Sequence, residues 1–166
     1  MASCQLVYTG KSNTERVGRI LTQVKNNYRI IGNQIVDTNA EIFYEELMAV
    51  INEQNFKPLS PSYRERKGLL GLDTRILIAT SEYMSNIQIR RVNGYNGVTA
   101  RHVGVDDRTT HSGTKLKMSD LAIIHEYGTS DGRIPPRPHY SKAWERARTK
   151  VRDNTLKYAR QIMSEG

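Results

Sequence analysis

The chain has one cysteine, Cys4, among 166 residues, so no disulfide can close within it. A chain without paired thiols suits a reducing compartment such as a cytosol. Apolar residues are also scarce, at 37%, and the mean hydropathy is −0.61. That share lies below the globular norm. It predicts a core small for the length, with part of the stability supplied by contacts between subunits. No apolar run approaches the roughly 20 residues that span a bilayer. Met1-Ala2-Ser3-Cys4-Gln5 lacks the basic-then-apolar pattern of a signal peptide. The expectation is a soluble protein with no membrane partner.

Chemical constellations are missing as well. His102, His111, His125 and His139 show no metal-ligand spacing with one another. His125-Glu126 begins like a zinc-protease helix, which needs a second histidine one turn later. Thr129 stands at that position, beyond the helix-breaking Gly128. Gly10-Lys11-Ser12 lacks the earlier glycine of a phosphate loop, because Gln5 occupies its place. Gly128 to Gly132 is explained by turn chemistry. There is no Gly-x-Ser-x-Gly elbow, and Cys4 has no positioned partner. No catalytic residue, cofactor or metal is expected.

Positive charge is what the chain has in surplus. It carries 25 basic and 17 acidic residues, a net charge of +8. Residues 133–160 hold nine of the basic residues against Glu145 and Asp153, so the remainder is nearly neutral. Such asymmetry fits a polyanion or an acidic partner surface, and equally a solvated helix face. Arg146, Lys150, Arg152, Lys157 and Arg160 are the candidate contacts to DNA or to an acidic partner.

Periodicity is strongest early. Val17, Leu21, Val24, Tyr28, Ile31, Ile35, Thr38 and Ile42 are spaced alternately by four and three, a coiled-coil-like stripe. The stripe then shifts to Phe43, Leu47, Val50 and Ile51. This predicts a helix over about 13–55, either continuous or kinked near Gly32. It is long enough to wrap a sheet or to reach neighbouring subunits. Residues 1–12 are expected as an extended arm. Pro58 and Pro61 end the helix, and Tyr63 to Lys67 form a helical turn. Leu72 to Thr80 fits a short helix or a buried strand. Ile87, Ile89 and Arg91-Val92 follow an alternation that suggests a strand, and Val98 to Val105 return from the Asn93–Gly97 turn. Leu116 and Met118 would add another strand, with 106–115 a mobile loop between. Ser119 is a candidate N-cap for a short helix. A final helix runs from about Tyr140 to Met163, with Trp144, Ala147, Val151, Leu156, Ala159 and Ile162 on its buried side. The predicted fold is α+β, one domain over 1–166. A long N-terminal helix packs on a small antiparallel sheet, followed by a short helix and a basic C-terminal helix.

The stretch from Ala122 to Tyr140 joins those last two helices. Gly128 reads as a C-cap, and Pro135, Pro136 and Pro138 force an extended path before the helix resumes. Tyr127, Gly128, Thr129, Pro136, Arg137 and Pro138 are the turn or interface candidates. The Tyr127-Gly128-Thr129 break, then Pro136-Arg137-Pro138 and a helix, resembles the head–tail joining or tail-completion family of long-tailed phages. Phe56-Lys57-Pro58-Leu59-Ser60-Pro61, with Arg66-Lys67-Gly68 and Asp73-Thr74-Arg75-Ile76-Leu77, is similar to virion-morphogenesis proteins of Mu-like phages. The resemblance covers roughly residues 40–145. His139-Tyr140 stands where the family often has an apolar or aromatic pair, and Ile134-Pro135 lengthens the loop. The resemblance implies a structural subunit of the virion neck or tail end, assembled in the host cytoplasm. It would form a homo-oligomeric ring, a hexamer by family analogy, with neck and tail proteins as neighbours. Non-specific contact with genomic DNA in the channel is a further implied role. The alternative is a basic nucleic-acid-binding module without catalysis.

Overall fold

A computed structural model describes the backbone of residues 11–93 and 99–164, with side chains over 14–92 and 99–161. Helix α1 runs Lys11–Glu53 without a break. Gly32 therefore lies within one continuous helix, and Lys11 and Ser12 already belong to it. Residues 1–10, the rest of the expected arm, lie outside the described residues. Gln54 ends α1 in a left-handed conformation, at φ 54°. Its side-chain amide accepts from the Ile76 N–H at 2.6 Å and donates to the Ile76 carbonyl at 3.0 Å. A single side chain thus satisfies both backbone groups of a buried residue, as a neighbouring strand would.

That bond explains residues 72–80, which form neither helix nor strand. Ile76, Leu77 and Ile78 are all buried on an irregular backbone. Gln54, together with the Asp73 N–H to Ala79 carbonyl bond, replaces a ladder there. Before this loop, helix α2 spans Pro61–Leu69, longer than the single turn expected. Ser60 caps it and Pro61 sits in its first turn, where a missing N–H costs nothing. Lys67 is buried, and its Nζ donates to the Arg75 carbonyl at 2.9 Å. Burial pushes its pKa down.

A four-residue helix α3, Glu82–Ser85, leads into strands β1, Gln88–Asn93, and β2, Thr99–Gly104. They pair antiparallel, with Ile89 opposite Val103 and Arg91 opposite Arg101. The Asn-Gly turn between them lies outside the described residues. Arg101 ties β2 to Asp37 of α1 at 2.5 Å, and Thr99 bonds Asn33. Leu116 and Met118 do not form a third strand; only a Thr110–Lys117 bridge is present among the described residues. Residues 106–115 are tied down by bonds from Ser112 to Glu82 and from the His111 N–H to the Leu116 carbonyl.

Helix α4, Met118–Tyr127, begins one residue before Ser119, so Ser119 is not its cap. Helix α5, His139–Ser164, runs back along α1. Asn39 bonds Asn154 and Thr155, Glu46 pairs with Lys150, and Glu53 pairs with Arg146, so the two helices are antiparallel. The small Ala143 and Ala147 are fully buried and let the two helices approach closely. Trp144 and Leu156 lie off that line and are 51% and 46% exposed, against the expectation that they were core. The core is built from Leu47, Val50 and Ile51 of α1 with Ile76, Ile78, Tyr83, Ile87, Val105 and Met118. The architecture is α+β, and among the described residues no helix is long and apolar enough to cross a membrane.

Replacing Gln54 by Ala would leave the Ile76 N–H and carbonyl unsatisfied. The expected loss is about 2 kcal/mol, read as a lower urea midpoint at unchanged slope.

Candidate functional site

The connection between α4 and α5 is held by a dense set of hydrogen bonds. Gly128 has φ 78°, and its N–H donates to the Ile124 carbonyl at 2.8 Å. A Cβ at this position would lie 2.6 Å from the Ile134 carbonyl oxygen and 2.9 Å from the Pro136 nitrogen. Only glycine fits between those backbone atoms. The loop beyond closes on itself. The Thr129 N–H donates to the Ile134 carbonyl, while its Oγ1 accepts from the Ile134 N–H and donates to Asp131 at 2.6 Å.

Arg137 then anchors the proline-rich return. Its N–H donates to the His125 carbonyl at 2.7 Å, and its Nε donates to the Lys57 carbonyl at 3.3 Å. It is 6% exposed, and burial pushes its pKa down. The side chain therefore works inside the subunit, holding the segment after α1 to the start of α5. Pro136 is exposed, Pro138 is half-buried, and Tyr127 is 74% exposed at the end of α4.

His125 and Glu126, which opened like a metal motif, have different tasks. The Glu126 carboxylate accepts from the Tyr140 N–H at 3.0 Å and the Ser141 N–H at 2.9 Å, with the Ser141 hydroxyl as a third donor. A carboxylate from α4 thus caps the first turn of α5, where unsatisfied N–H groups and the helix dipole favour negative charge. His139, fully buried, lies alongside. Its Nδ1 is 3.0 Å from the Arg137 carbonyl, which requires the proton there, and its Nε2 accepts from the Tyr83 hydroxyl at 2.7 Å. Burial pushes the His139 pKa down. The His125 Nδ1 is buried without a hydrogen-bond partner, and its ring meets Tyr83 edge-on at 5.5 Å. Burial, and then the charges of His139 and Arg137, push its pKa down to about 4.

The basic helix divides into two parts. Arg146 makes a bidentate pair with Glu53, at 2.6 and 2.7 Å, and Lys150 meets Glu46 at 2.5 Å. Lys142 donates to the Asn55 carbonyl and sits over the Phe56 ring. These cations clamp α5 to α1. Arg152, Lys157 and Arg160 face solvent, with Arg152 beside Asp153. Of the five candidate contacts, Arg146 and Lys150 are paired with carboxylates of α1 at the surface, and among the described residues the other three form no ion pair with α1.

Two apolar surfaces were not foreseen as such. Between α1, α5 and β2 lies an open groove of about 380 Å³, lined by Val36, Ala40, Phe43, Val103, Trp144 and Val151. Trp144 reaches into it with its ring edge-on to Phe43 at 6.2 Å. The second is the N-terminal half of α1, where Val17, Leu21, Val24 and Tyr28 are 44–63% exposed. The coiled-coil-like spacing was the signal for that half; nothing in the sequence showed that α5 would stop short of it.

Among the described residues, no group of three or more His, Cys, Asp or Glu side chains is placed to hold a metal ion. Compared with known protein families, curated proteins and solved structures, the chain finds no match. The geometry is that of a rigid joint with apolar faces left open.

Gly128→Ala is expected to lower Tm by roughly 5–10 °C, from backbone strain and the clash with Ile134; differential scanning calorimetry reads it directly. A second expectation concerns pH. His125 is neutral in the fold down to about pH 4 but titrates near 6.5 when unfolded. Between those values the unfolded state binds more protons, so stability falls on acidification from 6.5 to about 4, by about 3 kcal/mol at most. Urea titrations across that range should show the slope reduced in His125→Phe, with a remainder from His139.

Proposed function

We propose that the chain is a structural virion protein of the phage neck or tail end, without catalytic activity. It forms a ring that completes the tail or joins it to the head around the DNA channel. The observation that carries an assembly role is the N-terminal half of α1. Residues 14–30 are all exposed, yet they include Val17, Ile20, Leu21, Val24, Tyr28 and Ile30. A contiguous apolar surface of that kind marks an interaction site. The phage assignment rests on the resemblance in motif order, from Phe56–Pro61 through Tyr127-Gly128-Thr129 to Pro136-Arg137-Pro138. The joint supports it in a specific way. Gly128, Glu126 and Arg137 fix the direction of α5, and a ring subunit needs fixed angles between its faces.

Rings close through heterologous contacts, one face of each subunit on a different face of the next. The exposed half of α1, Tyr127 with Ile123, and the groove under Trp144 are separate faces that serve such contacts. Arg152, Lys157 and Arg160 supply outward positive charge for an acidic neighbour or for channel DNA. Nucleic-acid binding without catalysis is the second reading. It loses weight because Arg146 and Lys150 are neutralised by Glu53 and Glu46.

Mass measurement of the purified chain, and of virions carrying it, tests the proposal. A closed oligomer, or a ring at the neck or tail end of the particle, is expected. Absence from intact virions would sink it. Monomeric protein with DNA affinity that falls steeply with salt would favour the second reading instead.

A further inference from the structure

Helix α1 is divided by charge along its length. From Lys11 to Ile30 it carries Lys11, Arg16, Arg19, Lys25 and Arg29 against Glu15 alone. From Ile31 to Glu53 it carries Asp37, Glu41, Glu45, Glu46 and Glu53, and no basic residue. This order does not serve the helix itself. A helix dipole favours acidic residues at the N-terminus and basic ones at the C-terminus, the reverse of what is present.

The acidic half is partly used within the subunit. Glu46 and Glu53 pair with Lys150 and Arg146 of α5, and Asp37 pairs with Arg101 of β2. Glu41 and Glu45 continue the row of Asp37 at four-residue steps, and both are exposed. Among the described residues, the basic half has no such covering element. Helix α5 pairs with Asn39, Glu46 and Glu53, so it runs toward the N-terminus of α1 but is much the shorter helix, 26 residues against 43. Strand β2 reaches α1 at Asn33, through Thr99. Residues 14–30, about 25 Å of helix, stand clear of that packing.

One stripe links the two halves. Val17, Leu21, Val24 and Tyr28 are exposed, and Ile31, Ile35, Thr38 and Ile42 continue the same spacing half-buried. A sustained four-three spacing is the seam along which two helices pack, with charges beside it setting partner and direction. We propose that the basic, exposed half of α1 packs along the acidic half of α1 from a second copy of this chain. Val17 to Tyr28 would cover the partly open Ile31 to Ile42 stretch, and the Lys25 and Arg29 side would meet Glu41 and Glu45. Basic half on basic half would set like charges together, which costs several kcal/mol at an interface. Basic half on acidic half gains both the apolar seam and the charge match. The inference rests on the self-association in the ring reading but not on its phage setting. In a ring, each basic half lies on the next subunit's acidic half.

The test uses the full-length chain and charge reversal at exposed positions, where folding is untouched. Association is measured by analytical ultracentrifugation for the wild type, Lys25→Glu/Arg29→Glu, and Glu41→Lys/Glu45→Lys. A mixture of the two variants and the fourfold variant complete the set, with circular dichroism as the folding check. Each double variant should weaken self-association by about tenfold or more. The mixture and the fourfold variant should recover it, because opposite charges again face each other. Recovery by charge exchange is an outcome that simple loss of structure cannot produce. A closed ring that ignores all these changes would keep the ring and overturn this contact. A two-copy complex that follows them would keep the contact and overturn the ring. A chain that stays monomeric at every concentration, or that instead pellets with anionic lipid vesicles through this half of α1, would overturn the contact.

Discussion

The structure turns on one buried carboxylate. Glu126 closes α4 and, through Tyr140 and Ser141, starts α5. Without it the first turn of α5 would bury unsatisfied N–H groups beside the buried ring of His139. With it, α4 and α5 are held at a fixed angle that the glycine at 128 permits and the prolines at 135, 136 and 138 stiffen. Arg137 extends the same constraint to the segment after α1 by reaching the Lys57 carbonyl. Three parts of the chain far apart in sequence therefore meet at one small polar cluster.

From that fixed start, α5 is laid back along α1. Ala143 and Ala147 make close packing possible, and the Arg146–Glu53 and Lys150–Glu46 pairs hold the lateral position. Such exposed pairs contribute little to stability singly, yet they set which faces stay outward. Because α5 is shorter, it leaves the basic half of α1 bare. The groove under Trp144 and the exposed Tyr127 arise in the same way, as surfaces the single subunit does not cover.

Much of the plan was legible in the chain. The four-three spacing from Val17 to Ile42 marked α1, alternation through Ile87, Ile89 and Arg91-Val92 marked the first strand, and Gly128 with its prolines marked the joint. What was misread follows a pattern. Ile76, Leu77 and Ile78 are buried without regular structure because Gln54, 22 residues away, supplies the hydrogen bonds. Trp144 is apolar and sits at helical spacing, but Ala143 and Ala147, one residue before it and three after, are fully buried positions of α5. His125-Glu126 opens like a metal motif in sequence, and the partners of Glu126 are the amides of the next helix. In each case a long-range partner overrides the local pattern.

Taken alone, the sequence determined the two long helices, the pair of strands, the site of the joint and the uneven charge, because periodicity, glycine and proline act within a few residues. Tertiary structure decided which charges are spent inside the subunit and which remain outside. Lys150 and Lys157 are alike in sequence, and only the path of α5 along Glu46 separates them. It also decided that the apolar stripe of α1 is half core and half surface, since its burial depends on where α5 ends, a length set by another part of the chain.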